Sequence, residues 1–329
     1  MRIQAKDLRG ERKVKLWDVV PLSSPWTLFV DVTNYCNFKC VYCPTGNPEM
    51  VKGLRGRGHM NVTLFEKILK DLKRCDKLKM LNLYKDGEPL AHPLFTDMVR
   101  LAKNARIAEK IWTKTNGELI PRFPGLGMCG LDMIGISVPH VTEDGIFNTV
   151  GRHINYDQYR ENIKRLYEGK RMCEISVKIA DVGLTDSEIN KFYDDFEHIS
   201  DYITVEGLHG WSASDVKNLQ IHDSGTFDGN PFDEKVTCPL PFYMMTINYD
   251  GTVSVCNDDW GYWHKLGDVK EQSVKKIWQG EAYHEFRLMH LDGRRSENKA
   301  CGTCQYVNAL PDNIDEHREV MKNAILSGL

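Results

Sequence analysis

Between residues 28 and 207, short runs of β-branched and aromatic residues alternate with stretches whose apolar residues recur at helical spacing. The first run, LFVDVT, is followed by VTLFEKILKDLKRC, and this order then repeats along the chain. Strands that alternate with helices predict a parallel sheet with crossover helices. Six such units predict an α/β fold, a partial (β/α)6 barrel of the TIM type with too few strands to close. The predicted strands cover 28–33, 79–84, 110–115, 133–138, 174–179 and 201–207, and the predicted helices cover 62–75, 94–105, 156–169 and 187–199.

The predicted strands are not apolar on both faces, as the strands of an ordinary parallel sheet are. Residues two apart in a strand point to the same side of the sheet, and several such pairs here are polar. This pattern predicts a polar, functional interior, although edge strands with one solvated face would produce it too. The pairs are Asn82 with Tyr84, Thr113 with Thr115, Ser176 with Lys178, and Thr204 with Glu206.

The pattern changes near residue 223, where a loop rich in Gly, Pro and Asp marks a domain boundary. Beyond it, YMMTINYDGTVSVC (243–256) predicts two strands joined at Asp250-Gly251, a strong hairpin signal. Residues 273–291 predict a helix that is broken near Gly280. The predicted domains are an N-terminal extension (1–24), the partial barrel (25–222), a small α+β domain (223–310) and a C-terminal helical tail (311–329).

Composition and charge narrow the class of protein. The net charge is −3 and the pI is near 6.4, so no basic field points to nucleic acid. The N-terminus is charged throughout, and no apolar run approaches the ~20 residues that span a membrane. We therefore expect a cytoplasmic protein with neither a nucleic acid nor a membrane as partner. In that compartment its ten cysteines are expected to bind metal or to stay reduced in the core.

The first group of cysteines, Cys36, Cys40 and Cys43, falls within eight residues directly after the first predicted strand. A structural zinc site takes four protein ligands, a catalytic one takes three and a water, and disulfides need an even number of cysteines. Three thiolates suit a [4Fe–4S] cluster that is held through three of its irons, with the fourth iron left open.

The second group has four cysteines and lies in the last third of the chain. On ligand number alone, four thiolates fit a structural zinc ion and a fully ligated iron–sulfur cluster equally well. The members of this group are Cys238, Cys256, Cys301 and Cys304.

CNFKCVYC matches the CxxxCxxC signature of the radical S-adenosylmethionine (radical SAM) superfamily, and the six β/α units match its partial barrel. The later cysteines, in INYDGTVSVC and CGTC, resemble the Twitch form of the SPASM extension, which holds one auxiliary [4Fe–4S] cluster. The resemblance implies two [4Fe–4S] clusters and SAM as cofactors, and an electron donor such as flavodoxin or ferredoxin as partner. In this family, SAM binds the open iron and is cleaved to methionine and a 5′-deoxyadenosyl radical, which abstracts hydrogen from substrate. Structural zinc is the alternative for the second group.

The same resemblance implies SAM contacts at the ends of successive strands. YKDGEP follows the second strand, where the family carries a Gly-Gly-Glu motif beside the SAM amino group, and Asp86 replaces its first glycine. The positions after the third and fourth strands resemble those near the ribose and carboxylate, although a simple turn is the alternative for Asn116-Gly117. The expected contacts are Tyr42, beside the adenine, and Gly87, Glu88, Pro89, Asn116 and Ser137.

The chain resembles small Twitch-type enzymes that dehydrogenate aminocyclitols such as 2-deoxy-scyllo-inosamine, and it also resembles sugar-pathway relatives. This implies hydrogen abstraction from a carbinol carbon of a sugar, aminocyclitol or sugar nucleotide, loss of the hydroxyl proton, and transfer of one electron to the auxiliary cluster, which gives a ketone. Where the aminocyclitol enzyme contacts its substrate with an arginine, this chain has Trp211. By strand and rim position, the candidate general bases are Lys178, Glu206, His209 and His140. A structural ion pair is the alternative for Lys178 and Glu206.

Three other functions remain open. A radical SAM epimerase on a carbohydrate returns hydrogen from a thiol at the C-terminal rim, but Cys75, Cys129 and Cys173 are predicted at the opposite rim; a tyrosine or a mobile loop could still donate. A peptide-modifying SPASM-type maturase often adds a recognition domain, and only about 27 residues precede the first strand. A zinc-stabilised binding module would need zinc in both cysteine groups and would leave the polar strand faces unexplained.

Overall fold

The computed structural model of the chain describes residues 14–208, 210–214 and 234–328. No helix among these residues combines the length and the apolar character that crossing a bilayer requires. The strands are β1 Thr27–Val30, β2 Leu78–Asn82, β3 Ala108–Thr115, β4 Met133–Val138, β5 Glu174–Ala180, β6 Tyr202–Glu206, β7 Met244–Ile247, β8 Thr252–Ser254 and β9 Lys265–Asp268. The α-helices are α1 Pro48–Val51, α2 Val62–Leu72, α3 Phe95–Ala105, α4 Glu143–Val150, α5 Tyr156–Gly169, α6 Asp186–Phe196, α7 Val274–Trp278, α8 Glu281–Leu291, α9 Tyr306–Ala309 and α10 Arg318–Ser327.

The strands of the described residues form one sheet, in the order β6-β5-β4-β3-β2-β1-β7-β8-β9. Strands β1 to β6 pair in parallel in sequence order, which confirms the predicted partial (β/α)6 barrel. β7 pairs in parallel with β1, with Phe29 opposite Thr246, and β8 and β9 continue in antiparallel fashion. The hairpin at Asp250-Gly251 therefore extends the barrel sheet beyond β1. The boundary expected near residue 223 lies outside the described residues.

The crossover helices form where an apolar stripe follows a capping residue. In α2, Phe65 and Ile68 are buried on one face, and the Asn61 side chain accepts a backbone N–H of the first turn at 2.8 Å. α6 begins with a capping box, in which Thr185 and Glu188 each accept the other's backbone N–H. Each cap stabilises its helix by about 1 kcal/mol. Three of the described helices were not predicted: the single-turn α1 and α9, and α4, which lies directly after β4.

The two faces of the sheet differ in chemistry. Leu81 and Ile111, which are neighbours in β2 and β3, belong to the buried apolar cluster that the sheet shares with the helices. The opposite, concave face carries Ser137, Lys178 and Thr204, which lie side by side in β4, β5 and β6. The barrel interior is therefore polar along these strands, as the alternation of residues predicted.

The prediction was wrong for β3. Thr113 and Thr115 lie on the helix-covered face, in register with buried isoleucines of β4. The Thr113 hydroxyl donates to the Leu83 carbonyl at 3.1 Å, and this local hydrogen bond allows a polar side chain to be buried there. Trp112 and Lys114 occupy the concave face instead.

The described part of the N-terminal extension packs against the C-terminal tail. Leu16 shares a buried apolar cluster with Met321 and Ile325 of α10. Trp17 stacks on His317 with 3.6 Å between ring centroids. These contacts join the two ends of the described chain on one side of the sheet.

Candidate active site and cysteine centres

The first cysteine group lies on the loop that follows β1. The Asn34 Oδ1 accepts the Gly58 N–H at 2.8 Å, and its Nδ2 donates to the Gly56 carbonyl at 2.9 Å. The backbone N–H groups of Lys39 and Val41 donate to carbonyl groups at the end of α4, at 3.1 and 2.9 Å. The loop is thus held from two sides, which fixes the direction of its sulfur atoms.

The three sulfur atoms of this loop influence one another's charge. Burial, with smaller effects of the nearby Glu88 and Cys43, raises the pKa of Cys36 to about 12, against backbone and side-chain donors that lower it. Burial, followed by Cys43 and Cys36, also raises the pKa of Cys40. Three desolvated thiolates this close together need positive charge between them. The irons of a cluster supply that charge, so the donor set fits a [4Fe–4S] cluster held by three thiolates.

The segment after β2 packs directly against the cysteine loop. A Cβ atom at Gly87 would lie 2.3 Å from the Thr33 carbonyl oxygen and 2.6 Å from that of Tyr35, so only glycine fits. The Glu88 N–H donates to the Tyr35 carbonyl at 2.8 Å, and Pro89 opens a buried helical turn. The residues expected near the SAM amino group therefore lie beside the first cysteine group.

The Glu88 carboxylate joins the ends of β2 and β3. Its Oε1 accepts from the Thr115 hydroxyl at 2.6 Å and from the Leu90 N–H at 3.0 Å, and its Oε2 accepts from the Asn116 N–H at 2.6 Å. Burial raises the pKa of Glu88 to about 7, and these three donors oppose the shift. Both carboxylate oxygens of Glu88 thus accept hydrogen bonds from the protein itself.

All four cysteines of the second group line one cavity. Among the described residues, no three His, Cys, Asp or Glu side chains are arranged as ligands of one metal ion. A [4Fe–4S] cluster takes one thiolate at each of its four irons, and four cysteines line this one cavity. The cavity therefore fits a cluster. The residues that can hold it are Cys238, before β7, Cys256, after β8, and Cys301 and Cys304, between α8 and α9.

Apolar side chains form much of the remaining wall of this cavity, among them Leu240, Val255 and Phe286. His290 also lines it, and its Nδ1 accepts the Cys238 N–H at 3.4 Å. Burial, with smaller effects of Arg295 and His264, lowers the pKa of His290 to about 3, so the ring is neutral at pH 7. In such surroundings the few charged groups nearby act strongly on a bound cluster.

Lys178 and Glu206 form an ion pair on the concave face, with 2.5 Å between Nζ and Oε2. The pairing that the sequence left as an alternative is therefore present. Burial lowers the pKa of Lys178; Glu206 opposes the shift and Lys114 adds to it. Lys114, which the sequence analysis missed, also lies 5.5 Å from the ring centroid of Tyr84. These residues form a polar cluster at the C-terminal ends of β2, β3, β5 and β6.

Two histidines, His140 and His209, were predicted as candidate general bases. His140 follows β4; its Nδ1 accepts the Thr142 N–H at 3.3 Å and its Nε2 lies 3.5 Å from Glu188 Oε1. These contacts connect the β4–α4 loop to the start of α6. His209 lies outside the described residues.

A model of the radical SAM superfamily matches residues 30–196, which are 167 of the 329 residues. The chain belongs to the radical SAM superfamily. A model of the SPASM iron–sulfur cluster-binding domain matches residues 238–305, which include all four cysteines of the second group. SAM and iron–sulfur clusters, one of them auxiliary, are therefore the cofactors of this radical SAM protein.

Several relatives resemble this radical SAM protein along most of their length. It is 25% identical over 305 residues to the tungsten-containing aldehyde ferredoxin oxidoreductase cofactor-modifying protein of Pyrococcus furiosus, covering 80% of this chain and 83% of the relative. It is 22% identical over 281 residues to the SAM-dependent 2-deoxy-scyllo-inosamine dehydrogenase of Niallia circulans, covering 85% and 92%. The crystal structure of BtrN in complex with AdoMet and 2-DOIA matches with a TM-score of 0.56 at 18% identity, covering 88% and 97%. At that identity, the structural likeness shows the fold alone.

Asp86, which replaces the first glycine of the radical SAM motif, is the centre of a buried charge cluster. Its Oδ2 lies 2.6 Å from Lys85 Nζ and 3.2 Å from Arg55 Nη1, and all three side chains are at most 4% exposed. Lys85 also donates to the Asp259 carbonyl at 3.0 Å. The sequence offered the Lys-Asp pair of YKDGEP as a signal, but only the fold brings Arg55 and Asp259 to it.

Asn116 lies against the cysteine loop of the radical SAM centre. Its Nδ2 donates to Asn37 Oδ1 at 2.8 Å and lies 4.0 Å from Cys36 Sγ. Gly117 follows with a φ of +80°, so the turn that was the alternative explanation is present as well. Asn116 therefore both begins a turn and contacts the cysteine loop.

Tyr42 and Ser137 occupy different parts of the site. The Tyr42 carbonyl accepts the indole N–H of Trp211 at 2.9 Å, which fastens the segment after β6 to the cysteine loop. Ser137 is half-buried at the end of β4, in register with Lys178. Ser137 therefore lies next to the polar cluster of the concave face.

Proposed function

We propose that the protein oxidises a carbinol carbon of a sugar, aminocyclitol or sugar nucleotide to a ketone, with the auxiliary cluster as electron acceptor. The cavity lined by four cysteines carries the proposal, because a fully ligated cluster has no free iron for substrate and is suited to electron transfer. When bound, SAM and the two clusters supply hydrogen-atom abstraction and one-electron transfer. The substrate thus loses a hydrogen atom, a proton and an electron. The named activity of the Niallia circulans relative supports this reaction class.

The chain's own residues place SAM in this proposal. Cys36, Cys40 and Cys43 hold the first cluster. Since the Glu88 carboxylate is engaged by three donors, the segment 87–89 offers its backbone to the SAM amino group, and the bare Gly87 lets this segment pack against the carbonyl groups of the cysteine loop. The remaining contacts, carried over from the family motif, are Asn116 and Ser137 to the ribose and carboxylate, and Tyr42 beside the adenine.

Lys178 accepts the hydroxyl proton in this proposal. Burial and Lys114 disfavour the charged form of Lys178, so its amine is available as a base at a lower pH than an exposed lysine. Glu206, at 2.5 Å, stabilises the ammonium group once the proton has moved. Lys114 adds positive charge to the face on which negative charge develops at the substrate oxygen.

Two further features define the proposal. The Trp211 indole is hydrogen-bonded to the cysteine loop, so it does not supply the charged contact that an arginine gives, and we expect a substrate different from 2-deoxy-scyllo-inosamine.

Cys129 and Cys173 are buried ahead of β4 and β5, at the rim opposite the polar cluster, which disfavours thiol-dependent epimerisation. A flavodoxin- or ferredoxin-like protein is the proposed electron donor.

The test uses protein reconstituted anaerobically with iron and sulfide, then incubated with SAM, dithionite and a panel of aminocyclitols, sugars and sugar nucleotides. Oxidation predicts a hydrazine-trapped ketone and transfer of deuterium from a labelled carbinol carbon into 5′-deoxyadenosine. Solvent deuterium at that carbon without a ketone would instead establish an epimerase. Modification of a peptide but of no carbohydrate would establish a maturase. A Cys36→Ala/Cys40→Ala/Cys43→Ala variant is the control and is expected to form no 5′-deoxyadenosine.

A further inference from the structure

Arg295 is fixed at the wall of the auxiliary cavity. It opens the short helical turn Arg295–Glu297 after α8 and lines the cavity beside the cysteines. Its Nη1 donates to the carbonyl groups of Cys301 and Cys304, at 2.5 and 3.2 Å, and its Nε donates to the Val236 carbonyl at 3.3 Å. Three carbonyl groups, two of them from cysteines of the cavity, thus hold the guanidinium in one orientation.

Asp258 brings the opposite charge close to two of these cysteine sulfur atoms from another segment. It is 2% exposed and follows Cys256 by two residues. Its backbone N–H donates to Cys256 Sγ at 3.3 Å, and its Oδ2 lies 3.9 Å from Cys304 Sγ. One cation and one anion therefore flank the four sulfur atoms.

Arg294 provides an internal comparison. This neighbouring arginine is 52% exposed and pairs with the surface carboxylates of Glu297, at 2.9 Å, and Asp292, at 3.7 Å. Two arginines adjacent in sequence thus face different surroundings, and only the second lines the cavity.

We infer that Arg295 sets the reduction potential of the auxiliary cluster at a value that favours electron acceptance, and that Asp258 acts in the opposite sense. Reduction adds one negative charge to the cluster, and a fixed cation stabilises the reduced form while a fixed anion destabilises it. The apolar wall of the cavity limits the screening of both charges. Arg295 thus acts on the reaction through the cluster and does not contact the substrate in this inference. The inference rests on the proposed role of the cluster as electron acceptor.

The experiment is a redox titration of the full-length, reconstituted chain, followed by EPR. Cys36, Cys40 and Cys43 are replaced by alanine, so that the signal comes from the auxiliary cluster. In this background we compare Arg295→Gln, Arg295→Lys, Asp258→Asn and Arg294→Gln. The glutamine keeps a hydrogen-bond donor without the charge, the lysine keeps the charge without the planar fork, and Arg294→Gln is the matched surface control.

Arg295→Gln is expected to lower the ratio of reduced to oxidised cluster at a fixed potential by roughly tenfold, which is about 59 mV for one electron. Asp258→Asn is expected to raise that ratio. Arg295→Lys should keep most of the wild-type ratio, and Arg294→Gln should match the parent chain. Because Arg295→Gln removes the guanidinium that binds the carbonyl groups of Cys301 and Cys304, iron content is measured in every variant. Asp258→Asn tests the same electrostatic effect from a different segment.

The inference is overturned if Arg295→Gln stays within twofold of the parent, if Arg295→Lys shifts as far as Arg295→Gln, or if Asp258→Asn shifts in the same direction. A chain whose second cysteine group binds zinc and shows no reducible signal overturns it as well. A shifted potential in a chain that forms no ketone from any substrate would instead leave the electrostatic role standing and remove the dehydrogenase proposal. The two failures are therefore distinguishable.

Discussion

The Lys85 ammonium donates to the Asp259 carbonyl at 3.0 Å, and this contact joins the segment after β2 to the segment that follows Cys256. On one side, Lys85 pairs with Asp86, whose own carbonyl accepts the Thr45 hydroxyl at 2.8 Å. Thr45 in turn lies 3.0 Å from Cys43 Sγ. A continuous run of polar contacts therefore connects the two cysteine-bearing regions of the molecule.

Replacing Lys85 by methionine is expected to destabilise the protein by about 3–5 kcal/mol, because Asp86 remains buried with one of its two cationic partners lost. The free energy of unfolding from urea titration measures this change. Lys110→Met, at an exposed position of β3, is the control and should change stability by less than about 0.5 kcal/mol. Equal effects of the two substitutions would contradict the buried cluster.

Gly87→Ala is expected to lower iron loading at the first cysteine group and to weaken SAM binding at least tenfold. The added Cβ would lie 2.3 Å from the Thr33 carbonyl oxygen, so the cysteine loop must move. Iron content and equilibrium binding of SAM measure the two effects. Gly169→Ala, at the end of α5 where a Cβ meets nothing within 4 Å, is the matched control and should leave both unchanged.

Glu88 should make stability fall as pH rises from about 4.5 towards 7. Burial raises its pKa from 4.5 to about 7, so the native state holds this proton more tightly than the unfolded state does. The contribution is fully present below pH 4.5 and is lost as pH rises through the native pKa, by up to about 3 kcal/mol. Urea titrations between pH 4.5 and 8 should show a shallower decline in Glu88→Gln. The exposed Glu109→Gln variant should keep the decline of the wild type.

Lys178→Arg should lower ketone formation by about 10²–10⁴-fold while the ion pair with Glu206 is kept, because arginine cannot act as a base near pH 7. Lys178→Met should show a similar loss. The ratio of ketone to 5′-deoxyadenosine separates this step from SAM cleavage. Lys164→Met, whose side chain is 49% exposed on α5, is the control. If Lys178→Arg restores activity that Lys178→Met loses, the pair has a structural role only.

The pH profile offers a second test of the same residue. Because burial lowers the pKa of Lys178, the rate of ketone formation should rise with pH through that lowered pKa and then level off. A rise that begins only near the pKa of an exposed lysine would contradict the proposed base. The profile is measured at saturating SAM, so that binding of the cofactor does not limit the rate.

Local patterns were sufficient for the core of the fold. The alternation of strand and helix between residues 28 and 207 depends on side-chain periodicity within each segment, and all six predicted strands are present. The radical SAM and SPASM assignments depended on short cysteine motifs whose spacing is visible in the chain, and the family models confirm them. Neither required knowledge of which segments meet in space.

The face of β3 and the parallel partner of β1 were decided by packing. Thr113 has a polar side chain, but a hydrogen bond to Leu83 lets it face the helices, so polarity alone misplaced it. β7 pairs with β1 across more than 200 residues, so no pattern within either segment identifies its partner. Sequence periodicity indicates neither which face of β3 carries Thr113 nor that β7 pairs with β1.

The chain by itself determined the number and order of the barrel units and the positions of the two cysteine groups, because periodicity and motif spacing are local properties. Tertiary structure alone decided that Asp86 pairs with Arg55 and that Arg295 faces the auxiliary cavity while Arg294 faces solvent. The physical reason is the same in both cases. A charged side chain is buried only where distant segments supply its partners, and those segments are brought together by the packed core rather than by the residues next to it in sequence.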